Sequence, residues 1–385
     1  MNTPARYLLT ALAIIISLHY ILSFTHQEYG KATSISNIAS HFRDSTPIDH
    51  PAVGDEYYCG NAGNSSVLAK DRANATFVIL ARNSDLDGII QSIRDVEYHF
   101  NQYYHYPYVF LNDVPFSDTF KRRIENILSG TVEFGTIPHE HWVQPDWIDE
   151  KKAEDSRNNM VKNGVIYGGI YRNMCRFNSG FFFQHELLQK YRWYWRIEPD
   201  VHFHCDVSFD PFRYMEENHK VYAFTIAIYE FKATIPTLWD HVKQFIKDHP
   251  EHVVSENSMG FLSNDDGDTY NLCHFWSNFE IADMNLWRSP AYQDFFNYLE
   301  STGGFYYERW GDAPIHSIAA ALFARRDQIH FFDEIGYEHR PYTHCPRTDA
   351  KWKRGHCSCD QARSFDYDGY SCMRQWDRIW LDETA

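Results

Sequence analysis

The chain has no surplus of positive charge. Its 385 residues carry 36 Lys and Arg against 52 Asp and Glu, a formal charge of −16, and neither nucleic acid nor an anionic membrane surface attracts so acidic a protein. No G-x-G-x-x-G follows the first strand-like segment, which counts against a standard dinucleotide fold. No repeat of solenoid period is present. The C-terminal cysteines Cys345, Cys357, Cys359 and Cys372 lack the paired C-x-x-C spacing of a zinc framework, and in a secretory compartment they predict disulfides of unassigned pairing. Cys59, Cys175, Cys205 and Cys273 are buried thiols or partners. His202 and His204 share a strand face without further ligands, and Ser263 to Asp268 lacks the spacing and terminal Glu of an EF-hand. The histidines are read as structural and the acidic segment as a solvated loop.

What is present begins with one apolar run, Tyr7 to Phe24, in which His19 is the only potentially charged residue. It reaches the lower length limit of a membrane helix, and no small-residue cleavage site clearly follows. The run predicts an uncleaved signal anchor at 7–24 behind a cytoplasmic tail at 1–6, with a cleaved signal peptide as the alternative. Only Arg6 and the amino terminus support that orientation by charge. Residues 25–74 are polar, aperiodic and carry the sequons at Asn64 and Asn74, so they read as a lumenal stem. The remaining 75–385, in a chain that is 44% hydrophobic and 17% aromatic, suffice for one large domain.

Thr76 to Arg82 is a buried strand by its β-branched and apolar run, and a helix follows with Leu86, Ile89, Ile90, Ile93, Val96 and Phe100 on one face. Tyr106 to Leu111 repeats the strand, Phe116 to Leu128 the helix and Thr131 to Ile137 the strand. This βαβαβ order predicts an α/β domain with a mostly parallel sheet and a crevice at the carboxyl ends of the strands. Arg82 stands at such an end, where it serves either as a nucleotide or phosphate contact or as a surface salt bridge. Glu230, closing a strong strand from Val221 to Tyr229, faces the same crevice.

Glu198-Pro199-Asp200 closes the aromatic run Tyr191 to Trp195. Pro199 fixes its own φ and biases Glu198 toward extended backbone, so two carboxylates are presented at a strand end with little freedom. A hard divalent cation takes oxygen ligands of this kind together with the oxygens of a diphosphate. A Pro-containing turn with two solvated acids is the plain alternative for these residues taken alone.

Three longer blocks carry a resemblance. Tyr171 to Gly180 (YRNMCRFNSG), Tyr191 to Arg196 with Glu198-Pro199-Asp200, and Tyr270 to Ile281 (YNLCHFWSNFEI) closely resemble the fungal Golgi α-1,2-mannosyltransferase family, over about Thr76 to the C-terminus. The resemblance implies a type II Golgi membrane enzyme with a GT-A-like fold and a mixed, mostly parallel sheet. It implies transfer of mannose from GDP-mannose to a mannosylated glycoprotein or oligosaccharide acceptor, with retention and with Mn²⁺. Glu198 and His339, the latter in the block Glu338-His339-Arg340-Pro341-Tyr342, are then the expected metal ligands, with Asp200 near the metal or donor sugar. Glu280 is expected near the anomeric carbon, as nucleophile or as stabiliser of the cation, since retention by either route calls for an anion there. Tyr171 is expected to orient acceptor or phosphate. Another mannosyl linkage, mannosylphosphate transfer, or a silent mannan-binding protein remain as alternatives.

Overall fold

The computed structural model describes residues 48, 50–58, 72–162, 164 and 169–381. The anchor expected at 7–24 lies outside them, as does Asn64. Among the described residues no helix is long and apolar enough to cross a membrane.

The strands in chain order are β1 (Ala75–Leu80), β2 (Tyr108–Asn112), β3 (Val132–Thr136), β4 (Trp193–Arg196), β5 (Val201–Phe203) and β6 (Tyr222–Phe224). They continue as β7 (Ala227–Tyr229), β8 (Cys273–Phe275), β9 (Ile281–Asp283), β10 (Ile329–Phe331), β11 (Tyr337–His339) and β12 (Tyr342–His344). The helices used below are α1 (Leu86–Val96), α2 (Asp118–Glu125), α3 (Gly169–Gly180), α4 (Pro211–Glu217), α5 (Leu238–Asp248), α6 (Pro290–Thr302) and α7 (Asp312–Phe323).

Seven strands form the central sheet in the order β10-β6-β9-β4-β1-β2-β3. Neighbours are parallel except β9, which runs antiparallel to both β4 and β6. The expected mixed, mostly parallel sheet is therefore found, and its first three strands come from the βαβαβ segment. Alternation puts Phe77, Ile79, Trp193 and Trp195 into one buried layer, and Val78 and Tyr194 into the other. Both faces are covered, as a parallel sheet requires. Phe77 pairs across the strands with Tyr108, their rings stacked at 4.7 Å, a contact of about 0.5–1.5 kcal/mol beyond its area.

Two segments differ from the sequence reading. The single strand expected over Val221 to Tyr229 is broken between β6 and β7, and the extended piece from Cys273 to Ile281 is broken between β8 and β9. β7 and β8 leave the main sheet as a separate two-stranded ribbon. The breaks let the chain turn at Trp276 to Glu280, just beyond the sheet edge. The stem expected over 25–74 is also not uniform. Val53 is buried in the core, Tyr58 bridges to Phe209, and His50 lies 2.6 Å from Asp377, so apolar and hydrogen-bonding contacts hold residues 50–58 on the domain.

Disulfides join Cys205 to Cys357, Cys273 to Cys372 and Cys345 to Cys359, and Cys175 is a buried thiol. Two of these close loops of 152 and 99 residues. Loops of that length give a bridge most of its effect on the unfolded chain, about 4–5 kcal/mol in the entropic treatment.

Candidate active site

Sheet register assembles the site. β1, β2 and β4 are parallel, so Arg82, Asn112 and Glu198 all stand at the carboxyl ends of their strands. β9 runs the other way, and Trp195 pairs with Ile281. Glu280, one residue before β9, is thereby brought to the same edge, where its carbonyl accepts from the Arg196 N–H at 3.0 Å. A second sheet, β12-β11-β5, supplies the histidine: β5 begins directly after the Glu198-Pro199-Asp200 turn, and His339 on β11 pairs with Val201.

Glu198 and His339 therefore converge from distant segments, with His339 Nε2 3.8 Å from Glu198 Oε2. The imidazole packs edge-on to Trp276 at 4.9 Å, and its buried Nδ1 has no hydrogen-bond partner. The nitrogen that faces Glu198 is Nε2, and an imidazole nitrogen beside a carboxylate is a donor pair that a divalent cation fits. Asp200 goes elsewhere. It is exposed, adopts a left-handed φ of 61°, and its carboxylate lies against α1 at Gly88, where an added Cβ would fall 2.6 Å from Oδ1. The two acids of the motif thus face different elements, and Gly88 is what allows the second to lie so close.

Tyr194 and Arg196 alternate onto the same face of β4. The Arg196 guanidinium is ion-paired to Glu198 Oε1 and, at 2.6 Å, to Asp312 Oδ2 at the start of α7. Ser277 Oγ–H donates to the same Asp312 oxygen at 2.9 Å. Burial alone would raise the Asp312 carboxyl, but the Arg196 charge holds it below the usual carboxylate value. The acid at the first position of α7 also complements that helix's dipole.

Glu280 is 1% exposed. Tyr194 donates to its Oε1 at 2.8 Å and Tyr222 to its Oε2 at 3.2 Å, while His316 Nδ1 lies 3.1 Å from Oε2. His316 Nε2 faces the carbonyl of Asn178 at 3.0 Å, so that nitrogen carries a hydrogen. Tyr171, on α3, lies partly buried beneath the Arg309 guanidinium, 5.1 Å from its ring centre. The neighbouring Cys175, then burial, then Asp312 push the phenol well above its usual range, so it stays neutral. Glu230 follows β7 as expected, accepting from the Phe231 N–H at 2.7 Å.

The chain matches a family described as glycolipid 2-alpha-mannosyltransferase over residues 33–380. It belongs to that family. It is 54% identical over 308 residues to glycolipid 2-alpha-mannosyltransferase 2 of Candida albicans, covering 80% of this chain and 67% of the relative. It is 52% identical over 332 residues to glycolipid 2-alpha-mannosyltransferase of Saccharomyces cerevisiae, covering 86% and 74%. Among solved structures it is similar to the S. cerevisiae mannosyltransferase Ktr4p in complex with GDP, at a TM-score of 0.79 and 40% identity over 86% of each chain. Core-mannan synthase A of Aspergillus fumigatus, in a Mn/GDP form, gives a TM-score of 0.79 and 35% identity over 86% of this chain and 92% of that one. The fold is accordingly that of the GT-A-like mannosyltransferases, and the chain is a glycosyltransferase.

In this mannosyltransferase the residues read from sequence are unequally gathered. Glu198 and His339 meet, the Arg196 that pairs with Glu198 also gives its backbone N–H to Glu280, and Tyr171 lies under Arg309. Arg82 makes a two-bond ion pair with Asp85 at 2.9 and 3.0 Å on an exposed surface, the structural alternative named for it above. Sequence reasoning missed Asp312, Arg196 and His316 as members of the site. An acid opening an otherwise apolar, Ala-rich helix, and an arginine inside a run of buried aromatics, were the available signals. The histidines His202 and His204 bond to Asp95 and Glu338 at 2.9 and 3.0 Å, and Asp265 is tied within its own turn by Thr269 and Ser263. The histidines are thus structural, and Asn264 to Asp266 are exposed in a loop.

Proposed function

We propose that the chain is a retaining α-1,2-mannosyltransferase that takes mannose from GDP-mannose and places it on the 2-hydroxyl of a mannose in secretory glycans. The observation that carries the reading is the convergence of Glu198 with His339, in a family whose named relatives are 2-alpha-mannosyltransferases. Glu198 and His339 would hold Mn²⁺, consistent with the Mn/GDP form of the Aspergillus relative. When bound, the ion supplies Lewis-acid stabilisation of charge on the departing diphosphate without proton transfer.

The protein's own groups do the rest. Arg196 fixes the Glu198 carboxylate through an ion pair and shares its charge with Asp312. Glu280, held by two phenols and an imidazole, contributes a fixed negative charge to the positive character that develops at the anomeric carbon. Its burial and three partners favour that role over nucleophilic attack. Tyr171, neutral across the physiological range, donates to the acceptor or the departing phosphate. Glu230 is assigned to hydroxyls of nucleotide or sugar; Arg82 would reach a donor phosphate only by giving up its Asp85 pair, and Asp200 would reach the donor only by leaving Gly88. The apolar run at 7–24 anchors the enzyme in the Golgi membrane with the catalytic domain lumenal.

Glu198→Gln and His339→Ala test the metal assignment. Each is expected to cut Mn²⁺ affinity by at least about 10–100-fold, the loss that even an outer partner's removal brings, and to reduce transfer accordingly. Unchanged Mn²⁺ activation curves for both variants would overturn it.

A further inference from the structure

A second cluster of metal-type donors lies away from the site. Among the described residues, His249, His252 and Asp294 are the one group of three or more His, Cys, Asp or Glu whose donor atoms all lie within 4.8 Å of one another. His249 follows α5, His252 closes the short turn Pro250–His252, and Asp294 sits on α6. The rings of His249 and His252 are nearly parallel, 11° apart with centres at 5.6 Å. Packing sets them there. Phe245, one turn back on α5, stacks on His249 at 4.8 Å and on His252 at 6.1 Å, and Phe323 closes the far side of His252 at 6.5 Å. The turn is held in addition by the His249 N–H to Phe245 and the His252 N–H to His249.

We propose that these three residues form a binding site for a Zn²⁺-class transition ion, distinct from the Mn²⁺ site. Two imidazoles and one carboxylate are a zinc donor set, and three protein ligands leave a fourth position for water. Ligands about 2.0–2.1 Å from a tetrahedral ion stand roughly 3.3 Å apart. His252 Nε2 and Asp294 Oδ2 are already 2.9 Å apart, so little movement separates the ion-free contact from a ligated pair. Glu251 Oε1 lies 3.3 Å from His249 Nδ1 and holds that ring's orientation, the service that carboxylates give to ligating histidines. The donor set is richer in imidazole than the Glu198–His339 pair, two rings to one carboxylate, and imidazole suits zinc. Phe323 ends the helix that Asp312 begins, so the cluster lies about 16 Å along α7 from the active-site acid. An ion here ties the turn after α5 to α6 and leaves the catalytic residues untouched.

The test uses the full chain in detergent, saturated with Mn²⁺ and GDP so that the catalytic site is filled, and titrated with Zn²⁺ by calorimetry. The wild type is expected to take up one Zn²⁺ per chain with micromolar or tighter affinity. Co²⁺ at the same site is expected to give the intense visible bands of tetrahedral coordination. His249→Ala combined with His252→Ala should abolish this uptake, and Asp294→Asn should weaken it by about tenfold or more. Mannosyl transfer should stay within about twofold of wild type in both, which also reports that the variants are folded. Equal Zn²⁺ uptake by the double variant and the wild type, or no uptake by the wild type, would overturn the proposal.

Discussion

Replacing Arg196 by Met tests the electrostatic frame of the site. Its guanidinium is 11% exposed and neutralises two carboxylates, Asp312 at 6% and Glu198 at 26% exposure. Methionine keeps much of the stem's volume but leaves Asp312 buried with Ser277 as its remaining donor. Removing one partner of a buried ion pair costs about 3–5 kcal/mol, mostly for the stranded charge. A domain is stable by about 5–15 kcal/mol, so Arg196→Met should lower the urea midpoint markedly. The partner variant Asp312→Asn removes the stranded charge. In the double variant the two losses should therefore sum to less than their separate values, with a coupling of about 1–3 kcal/mol. The assay is urea unfolding followed by tryptophan fluorescence for all four proteins.

The same variant reverses a pH dependence. In the wild type the depressed Asp312 contributes stability that is present above its unfolded pKa of 3.8 and is lost as pH falls through its lower folded value. Without Arg196, burial is the leading influence and the folded value rises above the unfolded one. Its contribution then becomes unfavourable as pH rises. A coupling below about 0.5 kcal/mol, together with an unchanged pH profile, would refute the reasoning.

Glu280→Gln keeps the shape of the side chain but removes its charge. A fall in kcat of about 10²–10³-fold, with the KM for GDP-mannose near that of wild type, is expected from steady-state kinetics; unchanged turnover would remove Glu280 from the chemistry. Asp210 caps α4 while accepting from Tyr106 at 2.6 Å, and burial pushes its carboxyl up to about 6. The native state therefore holds a proton that the unfolded state has released, so stability should fall as pH rises from about 4 to 6. Asp210→Asn should flatten that fall, a difference reaching about 3 kcal/mol at neutral pH, read from urea midpoints against pH.

Much of the fold was legible because its signals are local. β1, α1, β2, α2 and β3 each follow their own apolar period, and their order predicts parallel pairing. The broken strands were not legible, because Val221 to Tyr229 reads as one apolar run whether or not its second half leaves the sheet. Pairing with β8, which lies some fifty residues away, decides the matter. Glu198 was legible from its turn and His339 from the resemblance, but their meeting depends on the register of β11 on β5. Asp312 shows the limit more clearly. A lone acid at a helix start is an ordinary N-terminal residue until the tertiary structure sets it 2.6 Å from the half-buried Arg196. The disulfide pairing likewise awaited the fold, since Cys205 finds Cys357 across 152 residues.

The most direct test of the function is a single product analysis. The enzyme is incubated with GDP-mannose, Mn²⁺ and a panel of mannosides, and the linkage and anomeric configuration of each product are determined. Mn²⁺-dependent formation of α-1,2-linked mannose with release of GDP is the expected result. A β-linked product, a mannosyl phosphate, another linkage, or no transfer to any mannoside would contradict it.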